Sequence, residues 1–189
     1  MKGNSSKNIK AAITAVGGFV PNDFISNQDL EKVLDTTDEW ITTRTGIKKR
    51  RILKGEGKGT SYLAIKAAED IITKRNIDPD TIDLVIVATI TPDYKGAATA
   101  PSVASAIKAN NAYAFDLSAA CSGFLYGMST ATSYIESGRY KKVLLIGADK
   151  MSSVVDYTKR ETSILFGDGA GAVLVEPSKN EFGWEDEYL

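Results

Sequence analysis

Leu84-Val85-Ile86-Val87-Ala88 constrains the fold more than any other stretch of this sequence. Five apolar residues follow one another with no polar residue between them. A strand with one wet face alternates apolar and polar side chains, so an unbroken run of this length belongs to a strand covered on both faces. Val143-Leu144-Leu145-Ile146-Gly147-Ala148 repeats the pattern. Helical segments separate such runs. Thr60 opens the clearest one, in which Leu63, Ala64, Ala67, Ala68, Ile71 and Ile72 form a stripe at the 3.6-residue period. A helix is expected around Ser102–Ala109, and another after Cys121 to about Ser137, with Gly138 as its stop. The order is strand, helices, strand, helix, strand, helix, strand, strand. It predicts an α/β layered fold (α-β-α) around a mostly parallel sheet.

The remaining signals are local. Ile9 to Val20 alternates well enough for a first strand, closed by Pro21-Asn22. Ser26 is a good N-cap for Asn27–Leu34, with Asp29 in the first turn. Thr37 similarly caps Asp38–Thr45, and Gly46 ends that helix. Lys48 to Leu53 reads as a basic strand or extended segment. Gly55, Gly57 and Gly59 make a loop, and with no apolar strand before it they are a poor phosphate cradle. Phe166-Gly167-Asp168-Gly169-Ala170-Gly171 reads as a tight turn whose glycines supply positive φ, before a final strand Ala172–Val175. Residues 1–8 read as a disordered arm, 9–176 as one domain, and 177–189 as the start of a connection cut off in mid-element.

Composition excludes several function classes. The 23 basic and 24 acidic residues leave a net charge of -1, so no global bias toward nucleic acid or a membrane surface follows. One cysteine excludes an internal disulfide framework and suits the cytoplasm. One cysteine with no histidine argues against a Cys/His metal site, and neither metal nor resident cofactor is expected. The polar N-terminus lacks the apolar run of a signal peptide, and no apolar stretch is long enough to span a membrane.

The single cysteine is Cys121. Tyr113 to Leu117 reads as a strand, Ser118-Ala119-Ala120 as small residues, and the residues after them as a helix. A thiol at a helix start meets free N–H groups and the macrodipole, which favour a thiolate nucleophile. The plainer reading is a small buried hydrophobe. The small neighbours Ala119, Ala120 and Gly123 leave room for a substrate and favour the nucleophile. Trp40 and Arg44 stand four residues apart and share a helix face. An indole beside a guanidinium can stack a flat base and meet a phosphate. Taken separately, Trp40 fits a core position and Arg44 a solvated helix face.

Ala119-Ala120-Cys121-Ser122-Gly123-Phe124 resembles the nucleophile elbow of the thiolase superfamily, and in particular of beta-ketoacyl-acyl-carrier-protein synthase III. Asp35-Thr36-Thr37-Asp38-Glu39-Trp40-Ile41, Thr43-Arg44-Thr45-Gly46-Ile47, Phe115-Asp116-Leu117 and Phe166-Gly167-Asp168-Gly169-Ala170-Gly171 resemble further motifs of that family, in order. The resemblance runs from about Ile9 to Glu176 and implies a thiolase-like layered fold, one half of the duplicated αβαβα architecture. It implies that Cys121 takes an acyl group from acyl-CoA and passes it to the carbanion left when malonyl-acyl-carrier protein loses carbon dioxide. It places Trp40, Arg44, Arg160 and Thr36 at the coenzyme A nucleotide, and Phe166 at the acyl pocket. It also implies a cytoplasmic homodimer, with a strand such as Ala112–Leu117 at the subunit interface. The family's histidine and asparagine lie in the second half of the enzyme. The chain is therefore expected to be the N-terminal half and, alone, unable to condense.

One departure and two alternatives stand beside this reading. Many relatives carry a Phe-Pro pair after the segment matching Thr91-Pro92-Asp93, where this sequence has Gly96-Ala97. The family's aromatic limits the primer pocket, so Gly96 implies tolerance of a longer or branched primer. Missing histidine also fits a non-catalytic thiolase-like subunit that binds acyl groups or a partner. A related condensing enzyme such as 3-hydroxy-3-methylglutaryl-CoA synthase shares the elbow. Lys48, Lys49, Arg50, Arg51 and Lys54 form the one basic run, read either as a solvated strand edge or as a dock for an acidic carrier protein.

Overall fold

The computed structural model describes residues 9–179 and 182–186, so the expected arm at 1–8 lies outside the described residues. In chain order the strands and helices are β1 (Ala11–Phe19), β2 (Phe24–Ser26), α1 (Asn27–Glu31), α2 (Asp38–Thr45), β3 (Lys49–Arg51), α3 (Thr60–Arg75), β4 (Leu84–Ala88), α4 (Thr99–Ala106), β5 (Tyr113–Leu117), α5 (Gly123–Glu136), β6 (Val143–Lys150), α6 (Arg160–Ser163) and β7 (Asp168–Pro177). Five strands form one sheet in the order β1-β7-β6-β4-β5, and β2 with β3 forms a separate ribbon.

All five residues of β4 are buried, and their alternation explains the unbroken apolar run. Val85 and Val87 enter one core with Ala64, Ala67 and Ile71 of α3 and Val103 of α4. Leu84 and Ile86 enter a second core with Met128, Ala131 and Ile135 of α5. The sheet is thus covered on both faces, and each large side chain so buried contributes about 1.5–3 kcal/mol.

The sheet is mixed, which corrects the expectation of a mostly parallel one. β5 and β6 run parallel to β4, whereas β7 is antiparallel to both β6 and β1. The cause is chain path. Helices α4 and α5 carry the chain back between parallel strands. After β6 the chain leaves at Lys150 and returns opposite it at Asp168. A return at the same end of the sheet imposes an antiparallel pairing.

The caps of α2 match the sequence reading: the Thr37 side chain accepts from Trp40 N, and Gly46 closes the helix at φ 71°. Ser26 and Asp29 form a full capping box, but α1 ends at Glu31, three residues short of expectation. Helix α4 starts at Thr99 rather than Ser102. Its cap comes from another element, since the Asp116 carboxylate on β5 accepts from Thr99 N at 2.6 Å and Ala100 N at 2.7 Å. Among the described residues, no helix is long and apolar enough to cross a membrane.

Candidate active site

Three glycines bring α5 close to the sheet and so place Cys121. A Cβ on Gly127 would sit 2.5 Å from Leu145 Cδ1, and one on Gly147 would sit 3.3 Å from Phe124 Cδ2. A Cβ on Gly123 would touch Ala88 Cβ at 3.4 Å. The helix therefore starts directly over the carboxyl ends of β4 and β6, where open α/β sheets bind ligands.

Between β5 and α5 the chain turns sharply. Ala120 adopts φ 49°, and Ser122 N donates to Ala119 O at 3.1 Å. A left-handed alanine costs on the order of 1–2 kcal/mol. Cys121 follows in a 3₁₀ turn, Ala120–Ser122, that leads into α5. It thus stands just before the helix rather than in its first turn, and it is exposed.

Cys121 lines a cleft of about 530 Å³ walled mostly by small residues, among them Ala88, Gly147, Ala148, Gly169 and Gly171. Among the described residues, Asp149 is the only other titratable residue in the lining. Its carboxylate accepts from Thr89 Oγ1, Ile90 N and Thr91 Oγ1, each at 2.9 Å, tying the end of β6 to the loop after β4. Among the described residues no asparagine lines the cleft, and the sequence contains no histidine.

The glycines of residues 167–171 do not supply positive φ, which corrects the sequence reading. Asp168–Gly171 already belongs to β7. Gly167 is required for close approach, because a Cβ there would lie 2.9 Å from Arg51 O and 3.0 Å from Arg51 N. Buried Asp168 accepts from Leu53 N, Ser152 N and Ser152 Oγ, each at 2.7 Å, and so fastens three segments together. Phe166 is 37 % exposed and, like Gly96, stands outside the lining of the Cys121 cleft. Gly96 lies in the exposed turn bridged by Tyr94 and Ala97, with open space around it.

The second constellation assembles as the spacing suggested. The Arg44 guanidinium carbon lies 4.2 Å from the centroid of the Trp40 ring, and that of Arg160 lies 4.6 Å from it. Arg160 is brought in from residues far along the chain, and its Nη1 donates to Asp35 O at 2.9 Å. Thr36 immediately precedes the α2 cap, and its buried hydroxyl has no protein partner. Two cations beside one indole make a platform suited to a flat base carrying phosphate.

The basic run is not one surface. Arg50 is only 2 % exposed, contradicting its reading as part of a solvated edge. Lys48 pairs with Asp38 at 3.5 Å and Lys54 with Asp23 at 3.4 Å. Sequence reasoning missed Arg50 and Asp116, whose partners lie on other elements.

A layered α-β-α fold with an exposed cysteine at a strained strand-to-helix elbow defines the thiolase-like class. The family model described as 3-Oxoacyl-[acyl-carrier-protein (ACP)] synthase III matches residues 115–186. The Beta-ketoacyl-[acyl-carrier-protein] synthase III of Chlorobaculum tepidum is 57 % identical over 173 residues, 92 % of this chain and 53 % of that relative. The crystal structure of 3-oxoacyl-[acyl-carrier-protein] synthase III from Aquifex aeolicus superposes with a TM-score of 0.85 at 48 % identity, covering 92 % of this chain and 55 % of that one. The priming beta-ketosynthase of a polyketide biosynthetic pathway superposes at 0.86 with 37 % identity, covering 90 % and 51 %. Over this matched length the chain is similar to members of the 3-oxoacyl-[acyl-carrier-protein] synthase III family. It spans about half the length of the curated relatives it matches.

Proposed function

We propose that this chain carries the nucleophile and the coenzyme A platform of an enzyme that starts fatty acid chains. The observation that carries the reading is Cys121, exposed in a cleft of small residues at the strand-to-helix elbow. The Cys121 thiolate attacks the thioester carbonyl of acyl-CoA, the acyl–sulfur bond moves to Cys121, and the coenzyme A thiol leaves with a proton. Malonyl-acyl-carrier protein then loses carbon dioxide. Its carbanion attacks the acyl-cysteine, releasing 3-oxoacyl-acyl-carrier protein and regenerating the thiolate. The backbone N–H of Cys121 serves as an oxyanion donor. Donors for the decarboxylation enolate, a histidine and an asparagine in this reading, come from outside these 189 residues. The chain alone therefore accepts an acyl group but does not condense.

Trp40, Arg44 and Arg160 hold the adenine and phosphates, with Thr36 at their edge. Residues 9–176 form the folding unit, the protein is cytoplasmic and homodimeric, and β5, the open sheet edge with Tyr113 66 % exposed, supports pairing between copies. Gly96-Ala97 in place of the family's Phe-Pro pair supports a primer longer or more branched than acetyl, with Phe166 shaping its pocket.

The test is condensation by the complete protein with malonyl-acyl-carrier protein and a series of acyl-CoA primers. Product formation lost in Cys121→Ala supports the reading, and product formation by that variant at the original rate contradicts it. Use of acetyl-CoA alone would sink the primer assignment.

A further inference from the structure

Among the charged groups of the described residues that neither the proposed nucleophile nor the proposed platform uses, Arg50 is the most buried. Its Nε and Nη2 both donate to Ile164 O, at 2.9 and 2.7 Å, and its Nη1 donates to Asn27 Oδ1 at 2.5 Å. Ile164 is the residue that closes α6, the four-residue helix that begins with Arg160. Asn27, fully buried at the start of α1, passes the connection on: its Nδ2 donates to Asp38 Oδ1 at 2.6 Å and to Ile47 O at 2.9 Å. Asp38 and Ile47 bracket α2, which carries Trp40 and Arg44. A continuous chain of hydrogen bonds thus runs from the end of α6 through Arg50 and Asn27 to both ends of α2. Leu30, Ile41 and Ile164 pack beside it, with Trp40 against them.

Burying a guanidinium is unfavourable unless its donors are satisfied, so this arrangement has a cost that simple packing would avoid. An aliphatic residue in place of Arg50 could fill the volume, but it could not set the distance and angle between two helices. A planar fork with two N–H groups on one carbonyl can. Burial lowers the Arg50 guanidinium from its usual value, while neighbouring Tyr157 acts in the opposite direction.

We infer that Arg50 and Asn27 are positioning residues that fix Arg160 against Trp40 and Arg44, and so set affinity for the nucleotide end of the acyl donor. Neither residue touches the donor. The inference rests on the platform reading under the proposed function. It separates two properties that ordinary structural damage lowers together: use of a donor with the nucleotide, and use of one without it.

The experiment compares an acyl-CoA with the corresponding acyl-pantetheine, which lacks the nucleotide, as donors to the complete protein. Arg50→Gln is expected to raise KM for acyl-CoA about tenfold, leaving kcat and kcat/KM for acyl-pantetheine within about twofold. Arg50→Lys keeps the charge and a single donor nitrogen but not the planar fork, so it is expected to recover part of the loss. Asp38→Ala cuts the link to α2 at a partly exposed position. It is expected to raise KM for acyl-CoA about threefold, and it decides the matter if Arg50→Gln does not fold. Parallel losses with both donors, or an unchanged KM for acyl-CoA in Asp38→Ala and in any folded Arg50 variant, would overturn the brace while leaving the platform intact. Equal KM for the two donors in the unaltered protein would overturn the platform itself, and the brace with it.

Discussion

The Cys121 elbow and the Trp40 platform are built on opposite principles. The elbow is open and strained, with small walls, a left-handed Ala120 and few polar groups in its lining. The platform is braced: two guanidiniums stand beside one indole, and a buried hydrogen-bonded chain runs beneath them. As the proposed nucleophile, Cys121 must be approached by substrates, which small surroundings and a tight turn allow. A binding platform gains from being fixed before its ligand arrives, because the ordering cost is then met in folding. The contrast also bears on where function is complete. Every proposed contact of the nucleotide comes from this chain, whereas the cleft's proposed decarboxylation donors do not.

The contrast can be broken or sharpened by substitution. Gly167→Ala acts at the seam, where β3 meets the cleft wall. The added Cβ presses on Arg51 backbone, so a loss of about 1–3 kcal/mol is expected in denaturant unfolding. Trp40→Ala should weaken acyl-CoA binding by about 1–3 kcal/mol, the range for stacking a base on an aromatic ring, without changing the melting temperature by more than a few degrees. Calorimetric titration checks it, and unchanged affinity would remove the platform from the account. Ala120→Gly relieves the left-handed turn and should stabilise the chain by about 0.5–1 kcal/mol. If the elbow's tightness serves the thiol, the same variant acylates more slowly.

The smallest effect lies away from both regions. The Ser26 hydroxyl donates to Asp29 and, with Lys32 adding, holds its carboxyl down at about 2. A folded value below the ordinary carboxylate range means that this contribution is present above about pH 4 and is lost as pH falls toward 2. Local fraying of α1 in that window, absent in Asp29→Asn, is the expected result in amide exchange.

These two regions differ as much in legibility as in construction. Short-range features were readable: Thr37 and Gly46 delimit α2, the apolar run of 84–88 announces a doubly covered strand, and the spacing of Trp40 and Arg44 brings their side chains together. The start of α4 was not readable, because its cap is Asp116 from a strand later in the chain. Gly167 was misread for a related reason. A glycine needed for close approach looks, in sequence, like one needed for a turn. Arg50 is the clearest failure. In sequence it is one of five basic residues, and only tertiary contacts with Asn27 and Ile164 distinguish it.

The central claim is that Cys121 is acylated by a coenzyme A thioester. Incubation of the complete protein with an acyl-CoA, followed by peptide mapping in a mass spectrometer, tests it most directly. The account predicts one acyl group, carried on the peptide containing Cys121 and absent from Cys121→Ala. An acyl group on any other residue, or none on Cys121 while the protein still forms product, would contradict it.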